Sequence, residues 1–407
     1  MEKTATKITT ILYLSLAAFP LMRANVNSIF IILCSLFAIY DFLKNRKKVV
    51  LSKKILILTA VFWMFLFHEI LSTDFSSQRI LLHLPFLVLP LLFLFKPSFI
   101  DAKIRTKSLL IFQGSVVLQS FIYLFTFLKS HSLQQIFSIN NYNIPLFRTF
   151  VYENTYTEIH STYFSAFLLC SFTISFFFGL RNKVKQKLIF HVFNIVFTLF
   201  FLFVFVSKII ILTLLISVLF YLFFSFKNKK DFIKVFIGFL IFGSLFIYNF
   251  KDLLSERFNE IRTEINRPLV GDYHNSINIR VAIINCSLDL LEKVPLFGFG
   301  DDLQNQLNDC YKNSYDSNFY KLATYNTHNY YFNLVLYGGW IFLILFFFYI
   351  FWLFKKMDFP LFLKIILIQI LIINFTENFL SRHHGIILFI YFISLFLIPK
   401  TNKEIVK

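Results

Sequence analysis

Charged residues are scarce in this sequence: Asp, Glu, Lys and Arg make up 15% of 407 residues, while 57% are hydrophobic, 60 are Phe and mean hydropathy is +0.68. A soluble domain carries about 25% charge. That difference excludes an ordinary soluble domain and leaves an integral membrane protein. The four cysteines, Cys34, Cys170, Cys286 and Cys310, stand at no metal-ligand spacing, so they do not form a cysteine-based metal site. Internal repeats are missing, as is any pair of Pro/Gly-interrupted spans in matching halves, which weighs against a secondary transporter. No clean small-residue cleavage site follows the first apolar run, residues 8–22, so this run is expected to stay as a first span.

Acidic residues are the scarcer sign, 22 against 40 basic, for a formal charge of +18. Such an excess suits a nucleic-acid partner when it covers one face of a folded domain, but here the basic residues form short clusters between apolar runs. They read as topology signals, and no nucleic-acid partner is expected.

A helix rises about 1.5 Å per residue and the hydrocarbon core is about 30 Å thick, so a span needs about 17 to 25 apolar residues. Twelve runs meet or approach this: residues 8–22, 26–43, 55–71, 80–95, 109–128, 162–180, 188–206, 209–226, 232–250, 330–354, 359–375 and 385–398. Clusters at Lys44 to Lys54, Lys96 to Lys107, Arg181 to Lys187, Lys227 to Lys234, Lys355 to Lys364 and Lys400 to Lys407 fall on every second connection. By the positive-inside rule both termini are then cytoplasmic. The expected fold class is an all-α integral membrane protein of about 12 transmembrane helices. Residues 1–249 hold nine spans, 250–329 form one large outer loop, and 330–407 hold three spans and a cytoplasmic tail.

The outer loop carries the most distinctive residues. In residues 275–294, Ile277, Val281, Ile284, Leu288 and Leu291 recur at helical spacing, which predicts an amphipathic helix lying along the membrane surface or the bundle roof, with Ser276 as its N-cap. Arg280 lies at the edge of the stripe, as a functional cation or an ordinary interfacial anchor. The Pro295-Leu-Phe-Gly-Phe-Gly300 stretch must turn. Asp301-Asp302 lack further metal ligands and read as a solvated turn. Cys286 and Cys310 share the loop and could pair on an oxidising side, with free thiols the default.

His328, at the loop's return to the membrane, is either a proton acceptor or one member of an aromatic belt with Tyr325, Tyr330 and Tyr331. Lys208 and His160 each open a span and are equally two-sided, as snorkelling or functional groups. Ionisable residues at span ends collect on the outer side: His68, Glu69, Arg79, His83, His160, Lys208, Glu377, Arg382, His383 and His384. Charges at that depth usually line a polar cavity, so a hydrated site is expected there. His191, near an inner end, reads as packed.

In order, Ser207-Lys208, Arg280 on its helix, the Pro-Leu-Phe-Gly-Phe-Gly turn, His328-Asn329, Tyr337-Gly338-Gly339 and Thr376-Glu377-Asn378 resemble the O-antigen ligase and polymerase superfamily. The specific part of the resemblance covers about residues 207–385; the first half is similar in hydropathy and in His160-Ser-Thr-Tyr. The resemblance implies a GT-C-like, metal-independent membrane glycosyltransferase without a cofactor. Its donor would be an undecaprenyl-diphosphate-linked glycan, used at the periplasmic face of the bacterial inner membrane. It implies that Arg280 contacts the diphosphate and His328 acts on the acceptor or the diphosphate. Lys208 would stand where the family has an arginine, keeping the charge without the bidentate fork. His160, Glu377 and Arg382 are further candidates. The acceptor would be a lipid A-core sugar in a ligase or another lipid-linked repeat in a polymerase; protein O-glycosylation and a lipid-linked glycan flippase are the other readings. The single large loop ahead of the last three spans favours the ligase.

Overall fold

The computed structural model describes residues 2–45, 53–72, 75–138, 146–154, 156–179, 185–205, 207–225, 276–315 and 324–398, with isolated positions besides. Every regular element among them is helical. The chain begins with α1 (Glu2–Ser15), α2 (Ala24–Lys44), the short pair α3 (Lys53–Leu58) and α4 (Ala60–Leu71), a second pair α5 (Ser77–His83) and α6 (Pro85–Leu94), and the long α7 (Ala102–Leu128). It continues through α8 (Leu146–Asn154), α9 (Ser161–Phe177), α10 (Lys185–Phe205) and α11 (Lys208–Ser225). The remaining helices are α12 (Ser276–Leu291), α13 (Leu303–Ser314), α14 (Tyr330–Lys356), α15 (Leu361–Ile373) and α16 (His383–Leu395).

Five stretches are long and apolar enough to cross a membrane, Ala24–Lys44, Ser77–Leu94, Ala102–Leu128, Leu188–Phe205 and Tyr330–Lys356, and six shorter helices are apolar. Each expected run except 232–250 coincides with a helix or helix pair; that run and residues 250–275 lie outside the described residues, save isolated positions. The break between α5 and α6 falls at Pro85, whose missing N–H cannot continue the ladder. The start of α7 is fixed by Asp101, whose carboxylate accepts from the backbone N–H of Lys103 and Ile104.

Polar side chains inside the bundle pair with one another. Gln369 of α15 donates to Thr173 of α9 at 2.9 Å and Ser217 of α11 at 3.0 Å, and Asn194 of α10 donates to Ser175 of α9 at 2.8 Å. In hydrocarbon each such group left unpaired costs several kcal/mol, so these bonds fix the depth at which α9, α10, α11 and α15 meet. His191 is packed here, its Nδ1 3.1 Å from Ser175 Oγ.

Contacts far apart in sequence define two ends. At one, Phe42 meets Phe95, Arg105 donates to the carbonyl of Ile398, and Phe362 meets Phe178 and Phe396. Lys103, Lys355 and Lys356 lie on the helix termini of this end. At the other, Asn27 meets His383, Tyr123 meets Thr157, Glu69 meets Tyr337 and Arg280 meets Glu377.

Two motifs of the sequence explain each other. The helix α14 is kinked at Gly339, φ 74° and ψ 176°, and the turn at residues 295–300 docks into the kink, with Phe299 N–H donating to the carbonyl of Leu336 at 2.7 Å. A Cβ on Gly298 would sit 2.2 Å from the Tyr337 carbonyl oxygen, and one on Gly339 would sit 2.0 Å from that of Leu296. Only glycine allows both the left-handed backbone and this approach.

The burial of α12 shows which of its faces meets the protein. Ile279, Ala282, Ile283, Cys286 and Leu290 face the protein, while Ile284 and Leu288 of the stripe seen in the sequence are 44% and 47% exposed. The helix is apolar on two faces, and the one carrying the small residues and the cysteine packs on α13 and α14. Cys286 and Cys310 are joined in a disulfide between α12 and α13, not free thiols.

Candidate active site

The second end of the bundle is built from helix starts and returns. The Asn329 side chain accepts from Tyr331 N–H at 2.9 Å and Phe332 N–H at 3.1 Å, which starts α14 and sets the segment before it. Thr327 and Asn378 exchange side-chain hydrogen bonds at 3.0 and 3.1 Å, tying that segment to the return between α15 and α16. The Asn326 side chain accepts from His328 N–H at 2.9 Å, and His328 itself has φ 41°. A left-handed backbone is uncommon outside glycine and persists where neighbours over-determine it, as these four polar side chains do. Tyr330 and Tyr331 are buried, Tyr330 against Phe346 and Tyr331 bonded to the Leu371 carbonyl at 2.7 Å, so they form no exposed belt around His328.

Glu377 is the centre of the cluster. Its Oε1 accepts from Arg280 Nη2 at 3.0 Å, across 97 residues of sequence, and its Oε2 lies 3.6 Å from His328 Nδ1. The latter distance is longer than a formed hydrogen bond. Burial alone would raise the Glu377 carboxyl, but His328, Arg280 and His160 outweigh it and hold it below the usual carboxylate range. The guanidinium of Arg280 has donors beyond the one this carboxylate takes, and its side chain is 42% exposed.

His160 caps α9 and accepts from Thr162 N–H at 3.3 Å through Nδ1. Burial pushes its pKa down to about 4; Glu377 pulls it up, and Arg148, His328 and Arg280 push it down further. The ring is neutral at pH 7. Arg148, on α8, donates to Ser161 and Thr162 at 3.0 Å each and adds a cation beside His160. Sequence reasoning missed it; the signal was a lone charge in the Leu-Phe-Arg-Thr-Phe run of the outer connection. Arg382 is exposed and hydrogen-bonds Tyr163, whose hydroxyl reaches the Asn378 carbonyl at 3.5 Å.

Lys208 stands exposed at the start of α11, at this same end, since it follows closely on Phe205, whose ring meets Phe147 and Phe164 near the His160 end of α9. Its side chain is not among the charges that dominate Glu377 or His160. Thus Arg280, His328, Glu377 and His160 come together, Arg382 joins through Tyr163, and Lys208 lies at the same end of the bundle.

A second buried carboxylate was missed as a structural centre. Glu69 of α4 accepts from Ser76 N–H at 2.9 Å, from Arg79 at 3.3 Å and from the Tyr337 hydroxyl. Arg79 also pairs with Asp301, so that residue is not merely part of a solvated turn, while Asp302 accepts from Asn305 and Gln306. Among the described residues no group of three or more His, Cys, Asp or Glu is arranged to hold a metal ion.

Residues 193–347 match the family model described as O-antigen ligase. The matched stretch contains Lys208, Arg280 and His328, begins after His160 and ends before Glu377 and Arg382. No curated protein matches the chain.

Proposed function

With residues 193–347 matching the O-antigen ligase family, we propose that this chain is a membrane glycosyltransferase that moves a glycan from undecaprenyl diphosphate to an acceptor sugar, of the lipid A-core in the ligase reading. The observation that carries the proposal is the meeting of Arg280 and His328 on Glu377 at one end of an apolar helical bundle. A diphosphate leaving group gains negative charge as its bond to the sugar breaks, so fixed cations beside it favour the transition state over the ground state. Arg280, with Arg148 and Arg382 nearby, supplies that charge without a metal, and Lys208 extends it along the same end.

The acceptor hydroxyl oxygen forms the new bond to the anomeric carbon while the bond to the diphosphate oxygen breaks, and the hydroxyl proton goes to His328. With Nδ1 turned to Glu377, the other ring nitrogen, Nε2, takes that proton, and the carboxylate stabilises the imidazolium that results. Such a base contributes about a hundredfold to ten-thousandfold. Glu377 is a positioning residue, holding guanidinium and imidazole apart by its own width.

The site's place on the periplasmic face is supported by the basic helix termini at the opposite end and by the Cys286–Cys310 pair, which suits an oxidising compartment. Purified protein with lipid-linked donor and free acceptor tests the proposal. Transfer that is lost in Arg280→Ala and in His328→Ala supports it, and normal transfer in both variants removes it. A surface-glycan gel of a deletion strain separates the acceptors: long chains stranded on carrier lipid mean a ligase, and one repeat on the core means a polymerase.

A further inference from the structure

Leu296 and Phe297, in the docked turn between α12 and α13, are 69% and 58% exposed, and Ile284 and Leu288 of α12 are exposed as well. Large apolar side chains held in water forgo the stabilisation that burial would give them, so the level of this turn in the bundle decides what it faces. Two helices give that level. Tyr330 packs its ring on Phe346 at 5.4 Å and Tyr331 packs on Phe347 at 5.6 Å. Each pair is 16 residues apart, about 24 Å in a straight helix, so α14 folds back at Gly339 and that glycine is its outermost point. From Gly339 to Lys356 is 17 residues, about 25 Å, less than the roughly 30 Å of hydrocarbon. The turn docks at this glycine, and its Phe297 carbonyl accepts from His68 Nε2 at 2.9 Å. His68 stands 15 residues from Lys53 through α3 and α4, about 22 Å. Both distances run from the basic end and stop short of the far boundary, so the turn lies within the leaflet at the Glu377 end, not above it.

The neighbours fit that level. Trp340, directly after Gly339, is 53% exposed, and tryptophan favours the membrane interface. Ile344 continues the exposed apolar surface along α14, and Phe67 and Leu71, also exposed, flank His68 on α4. Irregular backbone at membrane depth needs protein partners, and here the Phe299 N–H donates to the Leu336 carbonyl and the Gly298 N–H to that of Pro295. The helix α12 is sided to match. At about 100° per residue, Ile284 and Leu288 lie opposite the buried Ala282 and Cys286, the exposed Asn285, Asp289 and Glu292 take one edge between them, and Arg280 takes the other. A helix lying in the interface with its polar edge toward water has this order, and it turns Arg280 inward to Glu377.

We infer that the bilayer is the partner of this face: Leu296, Phe297, Ile284 and Leu288 sit among the acyl chains of the leaflet at the Glu377 end, just beneath the headgroups. The contact fixes the depth of the helix that carries Arg280. Headgroup charge does not select the lipid, since the one basic residue beside the turn, Lys293, follows Asp289 and Glu292. The inference needs the membrane reading alone and stands apart from the transferase reading.

Nitroxide labels on the full-length chain test this, with Cys34→Ala and Cys170→Ala removing the two free thiols and the Cys286–Cys310 disulfide left closed. The protein is placed in phosphatidylcholine vesicles with oxygen and a nickel chelate present on both sides, and thermal melting is the fold control. The ratio of oxygen to chelate collisions at Phe297→Cys and at Ile284→Cys should exceed that at Asp289→Cys by about fivefold or more, as for an interfacial helix with one side in lipid. Vesicles of phosphatidylglycerol should give the same ratios. Should Phe297→Cys not fold, Leu296→Cys reports the same level. The inference is overturned if the folded protein gives the turn the water-like ratio of Asp289→Cys, or if a lipid-like ratio needs the anionic lipid. It is also overturned if that ratio appears only once undecaprenyl diphosphate is added, which would give the face to the chain of that lipid.

Discussion

Glu69 and Glu377 are both buried carboxylates at the same end of one bundle, 1% and 6% exposed, yet their surroundings differ in kind. Glu69 receives a backbone N–H, a phenol and a guanidinium, and that guanidinium is shared with a second carboxylate. Glu377 receives one close guanidinium and one loosely held imidazole, each at least one-third exposed, with Arg148 and His160 alongside. A fully bonded buried charge serves structure, because nothing is left for a ligand to complete. A carboxylate that holds cations half in solvent orders them and leaves their remaining donors to a substrate anion. The same buried chemistry thus yields a rivet in one place and a holder of reactive groups in the other.

The sharpest way to break this comparison is to truncate each side. Arg280→Ala and His328→Ala should each lower transfer by about a hundredfold or more while melting temperature and protein level stay near wild type. Glu69→Ala should act on stability first, by about 3 kcal/mol, the lower end for a broken buried pair since Arg79 keeps Asp301. Thermal melting in detergent reads this. If Glu69→Ala melts like wild type, or Arg280→Ala does not fold, the two carboxylates do not differ in the way described.

A smaller effect is expected from the interlock that carries Asp301 and Tyr337 to Glu69. Gly339→Ala puts a Cβ against the Leu296 carbonyl on a left-handed backbone, at a cost of about 1–3 kcal/mol. The melting temperature should fall, and a second substitution, Gly298→Ala, should add less than its own single effect because both break one contact. Strict additivity would mean that the turn and the kink are independent.

The contrast also marks what could be read before the fold was known. Apolar runs and basic clusters carry their own periodicity and spacing, so the helices and their two ends were legible. Arg280, His328 and Glu377 stood out as charges next to apolar spans, but that Arg280 chooses Glu377 depends on two segments 97 residues apart meeting, which no local pattern encodes. The helix carrying Arg280 was legible, but the side by which it meets the protein was not, because Ile279, Ile283 and Leu290 form a second apolar face beside the stripe, and periodicity alone cannot rank two faces. Arg148 was missed for a related reason: its meaning lies in contacts with Ser161 and Thr162, not in its neighbours in sequence. The Cys286–Cys310 pairing needed the packing of α12 on α13.

The smallest predicted effect is in acid, and it lies within the Glu377 cluster. His160 sits well below its ordinary value of 6.5, at about 4, and Glu377 below its ordinary 4.5, so for both groups the unfolded chain binds protons that the folded chain does not. The contribution of His160 is therefore complete above pH 6.5 and is lost as pH falls toward 4, and that of Glu377 is complete above 4.5 and is lost only as pH falls through its lower folded value. Melting temperature should decline by a few degrees from pH 7 to pH 4.5, and His160→Gln, which cannot titrate, should flatten that slope. Glu377→Gln should leave the slope between pH 7 and 5 in place and remove part of the steeper fall below it. A slope untouched by His160→Gln would place the acid-sensitive group elsewhere, and the cationic cluster would then lose the neutral imidazole assigned to it.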